Sequence, residues 1–349
     1  MGVNETASKW IGSYLSNRKQ LVKFGDVKSK LENVESGVPQ GSILGPLLFI
    51  TCTNDILEEL SEYDIYTYAD DMQIVVNGTS VCYLATQIEA AIKKANEYYN
   101  RNSLLCNPTK TDVMLMGTKI RLNKSEQLKV RVSNGAETKT LEGEKCLKIL
   151  GIHLDQSLDW NKNTSAIKKR ATNSIRNLHR VNQIIPMKHR RTLYTSLVTP
   201  HFSYADTIWN NCGSANCNKL QQAQNFAAKS MLGISKYSSS SQSLKKLELL
   251  PLAEKRSINV AVQVKKSLAG KAPENISKLY QNQMSQENSR AAARGDLNYP
   301  KHKLQQYQQG PLYTSIKTWN SIPSSLRNND LTNFKRKLQD YKTKEYLKI

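Results

Sequence analysis

Two adjacent carboxylates, Asp70 and Asp71, interrupt "IYTYADDMQIVV", a run that otherwise has the β-branched and aromatic composition of one strand. Aspartate is poorly suited to strands, and burying an unpaired carboxylate is costly enough that the pair must be exposed, neutralised or functional. Consecutive strand side chains point to opposite faces, so neighbouring aspartates share a site only where a turn breaks the pleat. The sequence therefore predicts strand, tight turn, strand, with Ile65 to Tyr68 entering the turn and Ile74 to Val76 leaving it. Carboxylates at a hairpin tip suit Mg²⁺, which keeps several waters and binds through one or two carboxylates plus substrate phosphates. The plain alternative is that Asp simply favours turns.

Charge is unevenly divided along the 349 residues. Residues 1 to 160 hold 18 Lys and Arg against 20 Asp and Glu, whereas residues 161 to 349 hold 32 against 9. A basic half joined to a near-neutral half bearing a carboxylate pair implies a polyanion held by one region and processed by the other. The competing reading is a merely soluble basic surface. No apolar run reaches the roughly 18 residues of a membrane span and no secretory signal opens the chain, so an intracellular location, nucleus or cytoplasm, is expected. "MGVNET" fits a myristoylation pattern at Gly2 and Thr6, but the match is short and no polybasic cluster follows. Six scattered cysteines read as reduced thiols; Cys212, Cys217 and nearby His201 lack the second ligand pair of a zinc site.

Along the chain, residues 9 to 35 alternate, and "QLVKFGDV" and "KLENVESG" read as a hairpin around the polar "KS". In "SGVPQGSILGPLLFITCTNDILEEL" a loop punctuated by Gly37, Pro39 and Gly41 opens onto a helix, with Leu44, Leu47, Leu48 and Ile56 facing a core. Leu84, Ile88, Ala91, Ala95 and Tyr99 mark a helix with one buried face. "CNPTKTDVMLMG" turns at Asn107-Pro108 into a strand over Asp112 to Met116, and a further strand pair is expected around "LKVRVSNG" and "CLKILGIHLD". This alternation predicts an α+β domain with a largely antiparallel sheet packed by helices.

From Asp159 the period is helical. Ile167, Ala171, Ile175, Leu178 and Val181 form one face, and Lys168, Lys169, Arg170, Arg176 and Arg180 lie on the others. Helices are expected over Met187 to Val198, Lys219 to Leu232, about Leu252 to Ala269 and Leu331 to Leu347. Ser235 to Ser243 reads as a Ser-rich linker or long loop, and residues 280 to 310 as a Gln/Asn-rich, poorly periodic stretch within a partly disordered region over 235–349. Trp160, Trp209 and Trp319 read as packing residues rather than base-stacking platforms.

"GVPQGSILGPLLF", "YADD" and "NPTKT", in this order and at these distances, resemble the palm of a reverse transcriptase, specifically of the non-LTR (LINE-type, jockey-like) retrotransposon polymerases. The resemblance implies an RNA-directed DNA polymerase acting by two-metal catalysis with Mg²⁺ on an RNA template and a DNA primer. It implies a partial palm over residues 1–155, a thumb-like region over 156–234 and a basic C-terminal extension over 235–349. Pro39, Gln40, Gly41 and Tyr68 become nucleotide- or template-contacting positions. Asp70 and Asp71 become the metal pair, with Asp70 the stronger candidate for direct ligation, and Lys110 the acid that protonates departing pyrophosphate. Leu150 and Gly151 become the centre of a primer-gripping hairpin, and Lys168, Lys169, Arg170, Arg176 and Arg180 become phosphate contacts.

The resemblance also exposes what these residues lack. The family's palm carries a third carboxylate on an earlier strand, and Glu5 and Asp26 stand in the wrong context for it. The fingers have no counterpart, so the chain reads as the C-terminal part of a longer element polyprotein. Two carboxylates would hold two ions weakly, and the chain alone is expected to be inactive, with uncovered apolar surface in its first 60 residues. The alternatives are a non-catalytic basic RNA- or DNA-binding remnant of a transposable element, and a reading frame without selected function.

Overall fold

A computed structural model describes residues 3–133, 138–182, 184–285, 289–301, 308 and 310–347. Two compact units divide the chain. One comprises the residues up to Val113 with Lys124–Gly143, the other Met114–Asn123 with everything from Glu144 onward.

The first unit begins with a helix the alternating pattern concealed, α1 (Glu5–Leu15), whose amide at Ala7 donates to the Asn4 side chain. Strands β1 (Arg18–Gln20), β2 (Lys23–Phe24), β3 (Val27–Lys28) and β4 (Glu32–Val34) nest, β1 pairing with β4 and β2 with β3. The reversal falls at Gly25-Asp26 rather than at the polar Lys28-Ser29, because Gly25 supplies the positive φ, 60°, that a two-residue turn needs. Helices α2 (Gly45–Thr53) and α3 (Ile56–Glu59) follow. Ile56 is buried and Leu44 and Leu48 half-buried, but Leu47 is exposed: α2 is apolar around its whole circumference, so its sequence does not select a face.

Strands β5 (Asp64–Tyr68) and β6 (Asp71–Val75) pair antiparallel ahead of α4 (Val81–Arg101). Ile56, Leu60, Ala95 and Tyr98 form the core here, and Ile65, Met72, Tyr63 and Tyr99 pack against it. The inner face of the β5–β6 hairpin is thus seated on α3 and α4. Beyond a short 3-10 turn, Pro108–Lys110, the strand expected over Asp112 to Met116 reduces to one parallel bridge between Val113 and Gly143. The backbone then leaves the ladder for α5 (Lys119–Lys124). β7 (Lys129–Ser133) pairs with β8 (Thr138–Glu142), burying Val130, Val132 and Leu141. "CLKILGIHLD" forms its own hairpin, β9 (Cys146–Ile149) with β10 (Ile152–Asp155), instead of pairing with "LKVRVSNG". Its turn, Leu150-Gly151, closes the pair locally.

The chain is therefore a mixture of helix and small antiparallel sheets, as an α+β reading requires. In place of one larger sheet, strands of two to five residues pair in twos among the described residues. Two-residue turns join β2 to β3, β5 to β6 and β9 to β10, and among the described residues no ladder brings a third strand alongside.

The second unit is helical beyond β10. Helices α6 (Asn161–Val181), α7 (Met187–Leu197), α8 (Thr199–Ser203), α9 (Ser214–Leu232) and α10 (Ser240–Lys246) share a core that includes Trp160, Ile167, Ile175, Phe202, Trp209 and Leu220, with Ile152 and Leu154 packed on it. Val181, at the end of α6, is 38% exposed and leaves the predicted face. The Ser-rich run is only partly a linker: Ser239 caps α10 by accepting the Gln242 amide, and Leu244 and Leu247 join the core, since serine favours helix starts. Helices α11 (Leu252–Leu268), α12 (Glu274–Gln281), α14 (Pro311–Asn320), α15 (Ser324–Arg327) and α16 (Leu331–Leu347) build a second core around Ile258, Ile316, Trp319 and Phe334, and the short α13 (Arg290–Arg294) precedes its member Leu297. Within the Gln/Asn-rich stretch, residues 286–288, 302–307 and 309 lie outside the described residues; the rest includes α13 and a bridge between Met284 and Leu297. All three named tryptophans are buried, and their indole N–H groups donate to Asn211 (Trp160), Tyr204 (Trp209) and Gly295 (Trp319). Among the described residues no helix is long and apolar enough to cross a membrane.

Candidate functional site

The register of β5 and β6 runs from Asp64 opposite Val75 to Tyr68 opposite Asp71, leaving Ala69 and Asp70 as a two-residue turn. Ala69 sits at φ 54°, where an L residue bears a cost of about 1–2 kcal/mol. Alternation places Ile65 and Met72 toward the core, and Tyr66, Tyr68, Asp71 and Gln73 on the opposite face. Asp70, Asp71 and Tyr68 are exposed, and among the described residues neither carboxylate forms a hydrogen bond or ion pair with a side chain. The platform beneath is held by Tyr98, whose hydroxyl donates to Asp55; burial, then Asp55, push the Tyr98 phenol far above its ordinary pKa and keep it a donor.

Pro39, Gln40, Gly41 and Ser42 form a β-turn closed by the Ser42 amide on the Pro39 carbonyl, 3.3 Å. Gly41 has φ 80°, and a Cβ there would meet no atom within 4 Å, so its backbone stands open to approach. Three residues that sequence reasoning did not single out fix this loop. The Ser42 hydroxyl donates to Pro39 O at 2.8 Å and accepts the Gly45 amide at 3.0 Å, so the first amide of α2 is not free. Gly45 has no space for a Cβ, which would lie 2.8 Å from Ser42 Oγ and 3.0 Å from Pro39 O. Arg18 donates to the carbonyls of Leu15, Ser36 and Gly37, tying down the loop's entry. The repeated small residues of "GSILG" were the available signal.

Lys110 ends the 3-10 turn that Asn107 caps by accepting the Thr109 amide. It is exposed, and no ion pair joins it to Asp70 or Asp71. The structure thus brings Tyr68, Asp70 and Asp71 together on one hairpin, while Lys110 and the Pro39 loop stand on other segments of the same unit.

In the second unit Leu150 and Gly151 are the two-residue turn of β9–β10, with φ 46° and 84°. Tyr204 donates its hydroxyl to Leu150 O at 2.7 Å, anchoring the turn. On α6 the buried face carries Ile167, Ala171, Ile175 and Leu178. Lys169, Arg176 and Arg180, spaced by seven and four residues, align with Lys162 on the opposite side over roughly 27 Å of helix. Lys169, Arg170, Arg176 and Arg180 are exposed and Lys168 half-buried; among the described residues none of the five has a carboxylate partner.

The donor chemistry at Asp70 and Asp71 fits a hard divalent ion: exposed carboxylate oxygens with no side-chain competitor. Their number is small, because among the described residues no group of three or more His, Cys, Asp or Glu side chains gathers where it could hold a metal ion.

Residues 1–154 match the family profile described as "Reverse transcriptase (RNA-dependent DNA polymerase)". The chain's relatives are RNA-directed DNA polymerases of non-LTR retrotransposons. The chain is 26% identical over 231 residues to the probable RNA-directed DNA polymerase from transposon X-element of Drosophila melanogaster, covering 63% of this chain and 24% of that protein. It is 23% identical over 224 residues to the RNA-directed DNA polymerase from mobile element jockey of Drosophila funebris, covering 61% and 24%. It is 24% identical over 178 residues to the Retrovirus-related Pol polyprotein from type-1 retrotransposable element R1 of Nasonia vitripennis, covering 50% and 52%. The chain spans about a quarter of the length of the first two. No solved structure matches it. The reverse transcriptase family generally uses a divalent metal such as Mg²⁺.

Proposed function

We propose that this chain is a segment of an RNA-directed DNA polymerase of a non-LTR retrotransposon, in which Asp70 and Asp71 hold divalent metal and the basic helices hold an RNA template and DNA primer. The observation that carries the reading is the β5–β6 hairpin itself: a turn of Ala69 and Asp70, seated on α3 and α4, that presents two unpaired carboxylates to solvent within the reverse transcriptase segment. Bound there, Mg²⁺ would activate the primer 3′-hydroxyl and offset charge on the departing pyrophosphate.

The chain's own groups take the remaining roles. Asp70, free at the turn, ligates directly, and Asp71 completes the pair from the outer face. Tyr68, cross-strand from Asp71, together with Pro39, Gln40 and the open backbone of Gly41, contacts the nucleotide or template. Lys110 supplies a proton to the leaving group. Leu150 and Gly151 contact the primer end, and Lys168, Lys169, Arg170, Arg176 and Arg180 neutralise phosphates. In this reading residues 1–155 act as partial palm, 156–234 as thumb and 235–349 as basic extension, within the context of an element polyprotein.

A second reading, a basic nucleic-acid-binding remnant without catalysis, is favoured by the absence of a third carboxylate beside the pair among the described residues. Mn²⁺ titration followed by amide resonances separates the two. Metal holding at the hairpin broadens Tyr68 to Met72 first and loses that selectivity in Asp70→Asn. Uniform broadening over all surface acids contradicts the metal role and leaves the binding reading.

A further inference from the structure

Cys212 and Cys217 lie apart from every group used above. Cys212 is 5% exposed within the helical core, Cys217 sits in the first turn of α9, and their sulfurs are 3.5 Å apart. Arg256, on α11, is 3% exposed and lies over the Trp209 ring, 5.4 Å from its centroid. Its Nη2 donates to Cys217 Sγ at 3.3 Å, while its Nε and Nη1 have no hydrogen-bond partner. A guanidinium stays charged at any ordinary pH, and a buried charge needs an opposite one. Asp206 does not contact it as an ion pair; its Oδ2 accepts from Asn259 at 2.7 Å, and burial pushes its carboxyl up to about 6. The acceptor in direct contact with the buried cation is the Cys217 sulfur, and that contact favours its thiolate form.

We propose that Cys212 and Cys217 are an oxidation-sensitive dithiol, with Cys217 the attacking thiolate and Cys212 the resolving thiol, that closes to an intramolecular disulfide when the chain meets a peroxide. The Cys217 sulfur displaces hydroxide from the peroxide O–O bond and becomes a sulfenic acid. The Cys212 thiol then gives up its proton, its sulfur attacks Cys217, the S–O bond breaks and water leaves; two cysteine sulfurs are oxidised and one peroxide is reduced. The two thiols are poised oppositely: the hydrogen bond from Cys212 and then the Arg256 charge hold Cys217 below the ordinary thiol range, whereas that same pairing and burial push Cys212 well above it.

The full 349-residue chain, treated with hydrogen peroxide, alkylated with iodoacetamide and mapped by mass spectrometry, should lose two hydrogens within one peptide spanning Cys212 and Cys217, while Cys52 and Cys82 remain alkylated. Cys212→Ser should stop at a dimedone-trapped sulfenic acid on Cys217. Phenylarsine oxide, which bridges closely spaced thiols, should protect both cysteines of the unsubstituted chain from alkylation, an arm that needs no variant to fold. Full alkylation of both thiols after peroxide, or the absence of protection by the arsenical, would overturn the proposal.

Discussion

Tyr68 and Asp71 face each other as the last pair of the β5–β6 ladder, so Asp70 is presented by a turn whose other member, Ala69, has a positive φ of 54°. A β-branched side chain tolerates that region poorly, whereas Asn enters it more readily. Ala69→Val should lower unfolding free energy by about 1–2 kcal/mol and Ala69→Asn by much less. Urea denaturation of the two variants checks this, and equal losses would mean that the turn is not strained.

Gly41 and Gly45, four residues apart, should respond to alanine for different reasons. At Gly45, which is buried, the new Cβ would press on Ser42 Oγ and Pro39 O, an overpacking expected to cost about 1–3 kcal/mol. At Gly41 the space is open and only the positive φ resists, at about 1 kcal/mol. Thermal unfolding ranks the pair, and a larger loss at Gly41 would contradict the loop geometry.

Lys169, Arg176 and Arg180 lie on the side of α6 away from its core, so replacing all three with Gln should leave stability nearly unchanged. Affinity for a primed RNA should fall, and the slope of log affinity against log salt should flatten by up to roughly 0.7–0.9 per contact removed. Fluorescence anisotropy across a salt series reads both, and an unchanged slope would remove these residues from the interface.

Asp206 is buried, and its carboxyl is raised from the ordinary carboxylate value to about 6. The folded state therefore holds this proton more tightly than the unfolded chain. Its contribution to stability is fully present below the unfolded pKa of about 4 and is lost as pH rises through about 6. Relative to Asp206→Asn, the unsubstituted chain should gain about 2–3 kcal/mol between pH 7 and pH 4. Denaturation midpoints of both proteins at the two pH values test the sign as well as the size.

The hairpin was legible because adjacent aspartates admit one backbone solution, and α4 and α6 because their apolar spacing selects a single face. α1 was concealed because "KWIGSYL" alternates as readily as it winds, and its start depends on one cap from Asn4. Leu47 was misplaced because α2 is apolar on every side. Ser42 and Gly45 escaped notice because their work is steric and backbone-directed, which side-chain chemistry does not announce. Apolar exposure in the first 60 residues was foreseeable: Phe24 is 87% and Ile43 95% exposed, and among the described hydrophobic side chains up to that point only Ile56 and Leu60 are buried.

The most direct test joins binding and catalysis in one preparation. A sample of the 349-residue chain shown by anisotropy to bind a DNA primer annealed to RNA should give no extension with Mg²⁺ and deoxynucleotides, because two carboxylates leave the ions under-ligated. Mg²⁺-dependent extension that disappears in Asp70→Asn would contradict that outcome and show that Asp70 and Asp71 suffice within these residues.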